Sequence, residues 1–269
     1  MHLFTTATST DEYGRDSRIA VLPVGSFEQH GDHLPLATDT IVACLIAKRI
    51  AEANSLFLLP PVTMSCSHEH EGFPGTVAVS AKTLMCIVDD VRASLARAGI
   101  RRLVIVNGHG GNYVLSNVVQ EANVDGPCVS LFPGRSDWET ARKHAGMIST
   151  DAEDMHGGEA ETSMLMHACP ELVRPTYMTS DYHATERPHL LVVGMRGYTP
   201  SGIIGRSSEA TPEKGRDMLD SLTAAFADHL RVLALQPAPV PGGSLPGLVS
   251  VHCDGPRAEE VFGVRISGS

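Results

Sequence analysis

The chain has 269 residues, 42% of them hydrophobic and 19% charged, which is enough to bury a sizeable core and excludes a disordered tail protein or a disulfide-held miniature. Its 31 acidic and 21 basic residues leave a formal charge of -10, and no Lys/Arg run could neutralise a phosphate backbone, so nucleic acid is excluded as a partner. No stretch approaches the ~20 apolar residues of a membrane span, and the polar start from Thr5 to Asp16 lacks the features of a secretory leader.

In chain order, Arg18 to Val24 is a short apolar run read as a strand, and Thr40 to Ala53 repeats its apolar positions at helical spacing. Leu56 to Pro60 is a second strand, Ala81 to Ala98 a helix, and Arg102 to Val106 a third strand that runs into Asn107-Gly108-His109-Gly110-Gly111-Asn112. A helix over Tyr113 to Ala122 and a strand over Pro127 to Phe132 follow; Pro133 to Asp154 reads as irregular. An apolar helix is expected over Glu159 to Ala168, a long functional loop over Tyr177 to Thr211, and a last helix over Pro212 to Leu235. Strands alternating with helices imply one α/β domain with a largely parallel sheet and helices on both faces. That domain is expected over residues 1–235, and the Pro- and Gly-rich residues 236–269 as an appendage outside its core.

The six cysteines, Cys44, Cys66, Cys86, Cys128, Cys169 and Cys253, include no CxxC pair, so reduced thiols and a cytoplasmic location are expected. Histidine is the residue that stands out, 13 in all, several of them set among acids and glycines.

Gly25-Ser26-Phe27-Glu28-Gln29-His30-Gly31 follows the first strand, and alternation in an extended segment puts Glu28 and His30 on one face. Carboxylate oxygen beside imidazole nitrogen suits Zn(II), Mn(II) or Fe(II). Asp39, taken alone, is more often a helix N-cap, and His33 a hydrogen-bonded loop residue. The Asn107 to Asn112 segment lies at a strand's carboxyl end, where open α/β sheets bind ligands; its plainer reading is a tight turn with His109 capping the next helix.

In His156-Gly157-Gly158-Glu159-Ala160-Glu161-Thr162-Ser163, a spacing of three puts His156 and Glu159 on one side of a helix start. Glu161 lies ~200° around the helix from Glu159, so the two glutamates have different roles. Acids in a first helical turn are also favoured by the helix dipole alone. Ser67-His68-Glu69-His70-Glu71 lacks the i, i+4 histidines of a helical zinc site and is read as a loop bordering the site. No GxSxG elbow is present, which disfavours a serine nucleophile.

Taken together, Gly25 to Gly31 with Leu34-Pro35-Leu36 and Thr38-Asp39, then Phe73-Pro74-Gly75-Thr76, Asn107 to Asn112 and His156 to Ser163 resemble the creatininase (creatinine amidohydrolase) family, in order over most of residues 18–215. The resemblance implies an α/β metallohydrolase that opens amide C–N bonds, with two divalent metal ions per chain at the strand ends and a hexamer-type homo-oligomeric ring. Carried over by position, Glu28, His30, Asp39, His109 and Glu159 are the implied metal ligands, with Asp39 bridging. His156 is the implied catalytic histidine, and Glu161 the carboxylate that orients substrate.

Two departures bear on substrate. Creatininase has an acidic ligand two residues after the histidine of its Asn-Gly-His motif, whereas this chain has Gly111, and Glu159 is inferred to replace it. Ala152 stands where creatininase has a tryptophan over creatinine, and Trp138 is the chain's one tryptophan, so creatinine is not the preferred substrate. Other branches deformylate formamido-pyrimidine nucleotides or trim a peptide precursor of a redox cofactor. The expected substrate is thus a small amide such as a lactam or formamide, with peptide trimming as the alternative. Two other classes compete: a creatininase-like metal-binding protein without turnover, and a nucleotide-binding module using Asn107 to Asn112.

Overall fold

The computed structural model describes residues 4–234; the expected appendage over 236–269 lies outside them. Helix α1 (Ser9–Arg15) precedes strand β1 (Ile19–Val24), α2 (Thr38–Asn54), β2 (Phe57–Leu58), a 3₁₀ turn (His68–His70), α3 (Ala81–Arg97), β3 (Arg102–Asn107), α4 (Val114–Ala122) and β4 (Val129–Phe132). Helices α5 (Arg135–His144), α6 (Glu159–Ala168), α7 (Leu190–Val193) and α8 (Pro212–Ala234) complete the described chain. No helix among the described residues is long and apolar enough to cross a membrane.

All strand pairings are parallel and the order is β2-β1-β3-β4. Because successive side chains of a strand point to opposite faces, each strand divides its apolar residues between two cores. Val21, Val104, Val106 and Phe132 pack with α2, α5, α6 and α8, whereas Ala20, Leu22, Leu103 and Ile105 pack with α3 and α4. The chain runs from β1 to β2 through α2 on one face, then returns through α3 on the other to place β3 on the opposite side of β1. This reversal opens a crevice beyond the carboxyl ends of β1 and β3, the usual ligand position in open α/β sheets.

The expected α/β fold is therefore the observed one, with local differences that have physical causes. β2 shrinks to two residues because Pro60 and Pro61 supply no amide hydrogens, although Leu59 and Val62 still donate to Val21 and Pro23 at 2.9 Å. The segment read as irregular from Pro133 contains α5, a short and mostly polar helix that buries only Ala141 and Arg142. Helix α1 buries no side chain and is set by its cap: Asp11 accepts from the Thr8 amide at 2.7 Å, and Thr8 Oγ1 accepts from the Asp11 amide at 3.3 Å.

Helix α8 is fastened across the edge of the sheet by one histidine. The Ser130 hydroxyl on β4 donates to His229 Nδ1 at 2.8 Å, and His229 Nε2 donates to Asp137 of α5 at 3.0 Å. The imidazole also packs edge-on against Phe132, with centroids 4.9 Å apart. His229→Ala should lower the free energy of unfolding by ~1–3 kcal/mol, combining two lost hydrogen bonds with lost packing. Urea denaturation checks this, and a loss below ~0.5 kcal/mol, the range of neutral surface changes, would show that the staple carries no load.

Candidate metal centre

Two glycines decide how closely α2 approaches the strand ends. A Cβ at Gly25, just after β1, would sit 2.3 Å from the Thr40 backbone, and one at Gly108, just after β3, would sit 2.3 Å from the Asp39 carbonyl oxygen. Only a residue without a side chain fits at either point, so the first turn of α2 enters the crevice and carries Asp39 with it. Asp39 is not an N-cap: the cap position is Ala37, without a side-chain cap bond, and the Asp39 carboxylate turns inward to Ser26, His30 and His109.

Four of the expected metal ligands meet there, with Glu161 beside them. His30 Nε2 lies 3.3 Å from Asp39 Oδ1, and His109 Nδ1 lies 3.0 Å from Asp39 Oδ2. Glu28 Oε2 is 3.3 Å from His109 Nε2, and Glu161 Oε1 is 3.9 Å from His30 Nε2. Asp39 therefore belongs to two groups that could each hold an ion, one with Glu28 and His109 and the other with His30 and Glu161. Glu28 and His30 are fully buried, and Asp39 is 1% exposed.

The fit to a cation rests on the buried atoms. Neither carboxylate oxygen of Glu28 has a hydrogen-bond partner, nor does His30 Nε2. An ionised carboxylate buried this way is strongly disfavoured unless a cation or several donors offset its lost hydration. Burial, together with the charge of Asp39, pushes the Glu28 carboxyl up to about 8. His30 Nδ1 is committed to the Glu28 carbonyl at 3.1 Å, which fixes Nε2 as the free nitrogen facing Asp39.

His156 closes the site from the start of α6. Its backbone pairs with Ile204 and its Nε2 donates to the Gln29 carbonyl at 2.6 Å, leaving Nδ1 directed at Glu28 Oε1, 3.6 Å away. Its ring centroid is 4.1 Å from that of His30 and 4.3 Å from that of His70. Burial, reinforced by the charge of His30, lowers the imidazole to about 4, well below the ordinary 6.5.

Glu159 is the exception among the expected ligands. Its carboxylate is buried on the far side of the α6 start, accepting from the Ser149 amide at 2.9 Å and the Ile148 amide at 3.1 Å, and pairing with Lys214 Nζ at 2.6 Å. The ~100° step per helical residue turns it away from the crevice and turns Glu161 toward it, so the carboxylate facing His30 is Glu161, which also accepts from the Gly157 amide at 2.6 Å. Glu159 instead ties α6 to α8 and to the loop after α5.

The segment expected to be a bordering loop brings two further residues, His70 and Glu69, to the cluster. In the 3₁₀ turn His70 Nε2 stands 3.1 Å from Glu28 Oε1, while Gln29 Nε2 donates to its Nδ1 at 2.9 Å. Glu69 Oε1 lies 3.4 Å from His109 Nε2. The density of acids and histidines in Ser67 to Glu71 was the available signal, but a 3₁₀ turn has neither of the periodicities used to read helices and strands. His33 is a hydrogen-bonded loop residue, its Nε2 donating to the Gly157 carbonyl at 2.9 Å.

Two cavities adjoin the cluster. One of about 420 Å³ is lined by Glu69, Glu71, Gly111, Tyr113 and Leu190 to Gly194; the other, of about 380 Å³, by His109, Glu161, Trp138, Arg135, Arg142 and Asp151 among others.

The new place of Glu159 is testable. Burial raises its pKa, but Lys214 and the amides of Ser149 and Ile148 outweigh that, so it falls below the ordinary 4.5. A depressed carboxyl stabilises the fold above its unfolded pKa and loses that contribution as pH falls through the folded value. Glu159→Ala should destabilise by ~3–5 kcal/mol, the range for orphaning a buried partner, and Glu159→Gln should flatten the decline of stability below pH ~4.5. Melting curves from pH 3 to 7 (~4 units spanning both states) check this, and an unaltered acid limb in Glu159→Gln would refute the pairing.

The family model for creatinine amidohydrolase, Creatininase, matches residues 4–230. A relative from Mycolicibacterium smegmatis (strain ATCC 700084 / mc(2)155), named mycofactocin precursor peptide peptidase, is 31% identical over 224 residues, covering 79% of this chain and 84% of its own. Creatinine amidohydrolase from Pseudomonas putida is 28% identical over 232 residues, covering 79% and 88%. A solved structure described as "Creatininase Mn" superposes with a TM-score of 0.70 at 26% identity, covering 86% of this chain and 98% of the other. The strand-end cluster, the sheet order and these matches agree, and the chain belongs to the creatininase family.

Proposed function

We propose that this chain is a divalent-metal-dependent amidohydrolase that opens the C–N bond of a small polar amide, such as a lactam or formamide, through an activated water, in a biosynthetic pathway. The observation that carries the reading is Asp39, a buried carboxylate with one oxygen toward each of two ligand-competent groups. Glu28 and His109 would hold one ion and His30 with Glu161 the other, Asp39 serving both; Zn, Mn and Fe all suit this mixed nitrogen and oxygen set. When bound, such a pair supplies Lewis acidity toward the amide carbonyl and acidifies water.

The residues around the pair account for the remaining chemistry. His156 is neutral at rest, with Nε2–H held by Gln29 and Nδ1 open to the cluster. Its Nδ1 accepts the proton shed by the attacking water and returns it to the departing amide nitrogen, a poor leaving group until protonated. Glu161, besides facing His30, borders the cavity of about 380 Å³, where it can orient a substrate amide beside Trp138 and Arg135. Burial of the cluster excludes bulk water and strengthens each of these interactions.

A second reading, removal of a C-terminal piece from a cofactor-precursor peptide, is supported by the 31% identity to the M. smegmatis protein and by Ala152 in place of a tryptophan. Turnover of lactams, formamides and C-terminally extended peptides separates the two, and no turnover in a metal-replete protein would leave only a metal-binding role. We extend the family reading to a homo-oligomeric ring and a cytoplasmic site of action, to be tested by sedimentation equilibrium and cell fractionation.

Chelation should abolish activity, and divalent metal should restore it. Asp39→Ala should empty both ion positions, measured as metal per chain by elemental analysis; full occupancy would refute the shared carboxylate. Since the metal-free Glu28 carboxyl sits at about 8, metal affinity should weaken as pH falls below that value. His156→Ala should retain metal and lose roughly 10²- to 10⁴-fold in turnover, less for substrates with better leaving groups. Near-normal turnover with a lowered melting temperature would make His156 structural.

A further inference from the structure

We propose that Glu69 is a positioning residue for His109: its carboxylate helps keep Nε2 as the N–H side of the imidazole, so that Nδ1, the nitrogen facing Asp39, is the one left to bind a metal. The proposal rests on the metal reading above, which makes His109 a ligand.

The geometry around His109 Nε2 is one-sided. The Cys66 carbonyl, which can only accept, lies 2.9 Å away, with Glu28 Oε2 at 3.3 Å and Glu69 Oε1 at 3.4 Å. A carbonyl oxygen cannot donate, so Nε2 carries a hydrogen, and in the neutral ring the lone pair resides on Nδ1. Nδ1 is 3.0 Å from Asp39 Oδ2. Nδ1 can meet that carboxylate through a proton or through a cation, and with Nε2 committed to the N–H role Nδ1 is the nitrogen left to take the cation.

Of the oxygens around Nε2, the Cys66 carbonyl is backbone and Glu28 is itself an expected ligand. Glu69 is the carboxylate free to serve the orienting role alone. Its side chain is 13% exposed and reaches His109 across Gly111. A Cβ at Gly111 would lie 2.0 Å from Glu69 Oε1 and 2.4 Å from His109 Nε2, so the missing side chain is what lets the carboxylate and the ring meet. The turn is also pinned from behind, because a Cβ at Gly194 would come within 2.9 Å of the Glu69 carbonyl oxygen. One short turn thus presents Glu69 to His109 and, one residue later, His70 to Glu28. A carboxylate on the non-ligating nitrogen raises the donor strength of the other and fixes the ring plane, and losing such a group typically weakens metal binding ~10- to 100-fold.

The test is calorimetric titration of the full-length protein, stripped of metal by chelation, with Co(II). The parent should bind two equivalents (about two per chain, as for a paired site). Glu69→Ala should weaken one equivalent ~10- to 100-fold and leave the other within about threefold, with the melting temperature of the metal-free protein unchanged. Glu69→Gln, which keeps an accepting oxygen in place, should recover most of the lost affinity. Parent-like titration of Glu69→Ala would overturn the proposal. So would loss of both equivalents together with a lowered melting temperature, the mark of a structural role, and so would a Gln variant as weak as the Ala variant. A parent protein that takes up no Co(II) would instead refute the metal reading itself.

Discussion

The constraint on which this structure turns is the confinement of two carboxylates, Glu28 and Asp39, in a crevice from which water is excluded. Unneutralised, they repel each other and have lost their hydration, which is why Glu28 holds its proton so tightly in the metal-free protein. Surrounding imidazoles relieve part of this. His30 and His109 rise well above their ordinary values: burial opposes their protonation, but Asp39 and the neighbouring glutamates outweigh it. Burial first, and then the charge of neighbouring imidazoles, lowers His70 and His156. The cluster is thus unfavourable by itself and suited to cations, the usual condition of a site built for binding rather than for stability.

The scaffold tolerates such a cluster because its cores lie elsewhere. Apolar residues alternate along β1 and β3 between two separate packed faces, and α2 is buried along most of its length between the sheet and α8. The strand ends and the first turns of α2 and α6 are therefore held by packing remote from the site. Close backbone approach at Gly25 and Gly108 then converts that packing into the placement of one side chain, Asp39, to within bonding reach of residues following two different strands. Polar ties complete the frame: Asp154 accepts from the Glu159 amide at 2.5 Å and the Ala160 amide at 3.0 Å at the start of α6, and is itself held by Arg142 at 2.9 Å.

The two glutamates of α6 illustrate how finely rotation matters. Placed two residues apart, they differ by about 200° around the axis, so one serves the fold and the other faces the site. Glu159 is fully buried against Lys214 and two amides; Glu161 borders a cavity and His30. The motif containing both is recognisable without any indication of which is which. The rotation is set by where α6 rests on α2 and α8, a contact between residues far apart in the chain.

From its residues alone the sequence determined the alternation of strands and helices, the parallel sheet, and the loops at the carboxyl ends of β1 and β3. Those features follow from local periodicity and from glycine-rich turns, which neighbouring residues encode. Glu28, His30, Asp39 and His109 were legible as a group through the resemblance to the creatininase family; from the residues alone Asp39 reads as a helix cap and His109 as part of a tight turn. Helix α5 was not legible, because its surface is polar almost all round, and neither was the role of the 3₁₀ turn, which repeats too few residues to show a period. Tertiary structure alone decided that Glu159 faces Lys214, that Asp39 is no cap, and that Glu69 and His70 reach the cluster across Gly111 and Gln29. The reason is physical: periodicity reports which face of an element is buried, whereas the partner met on that face depends on contacts between residues tens of positions apart, which no local pattern contains.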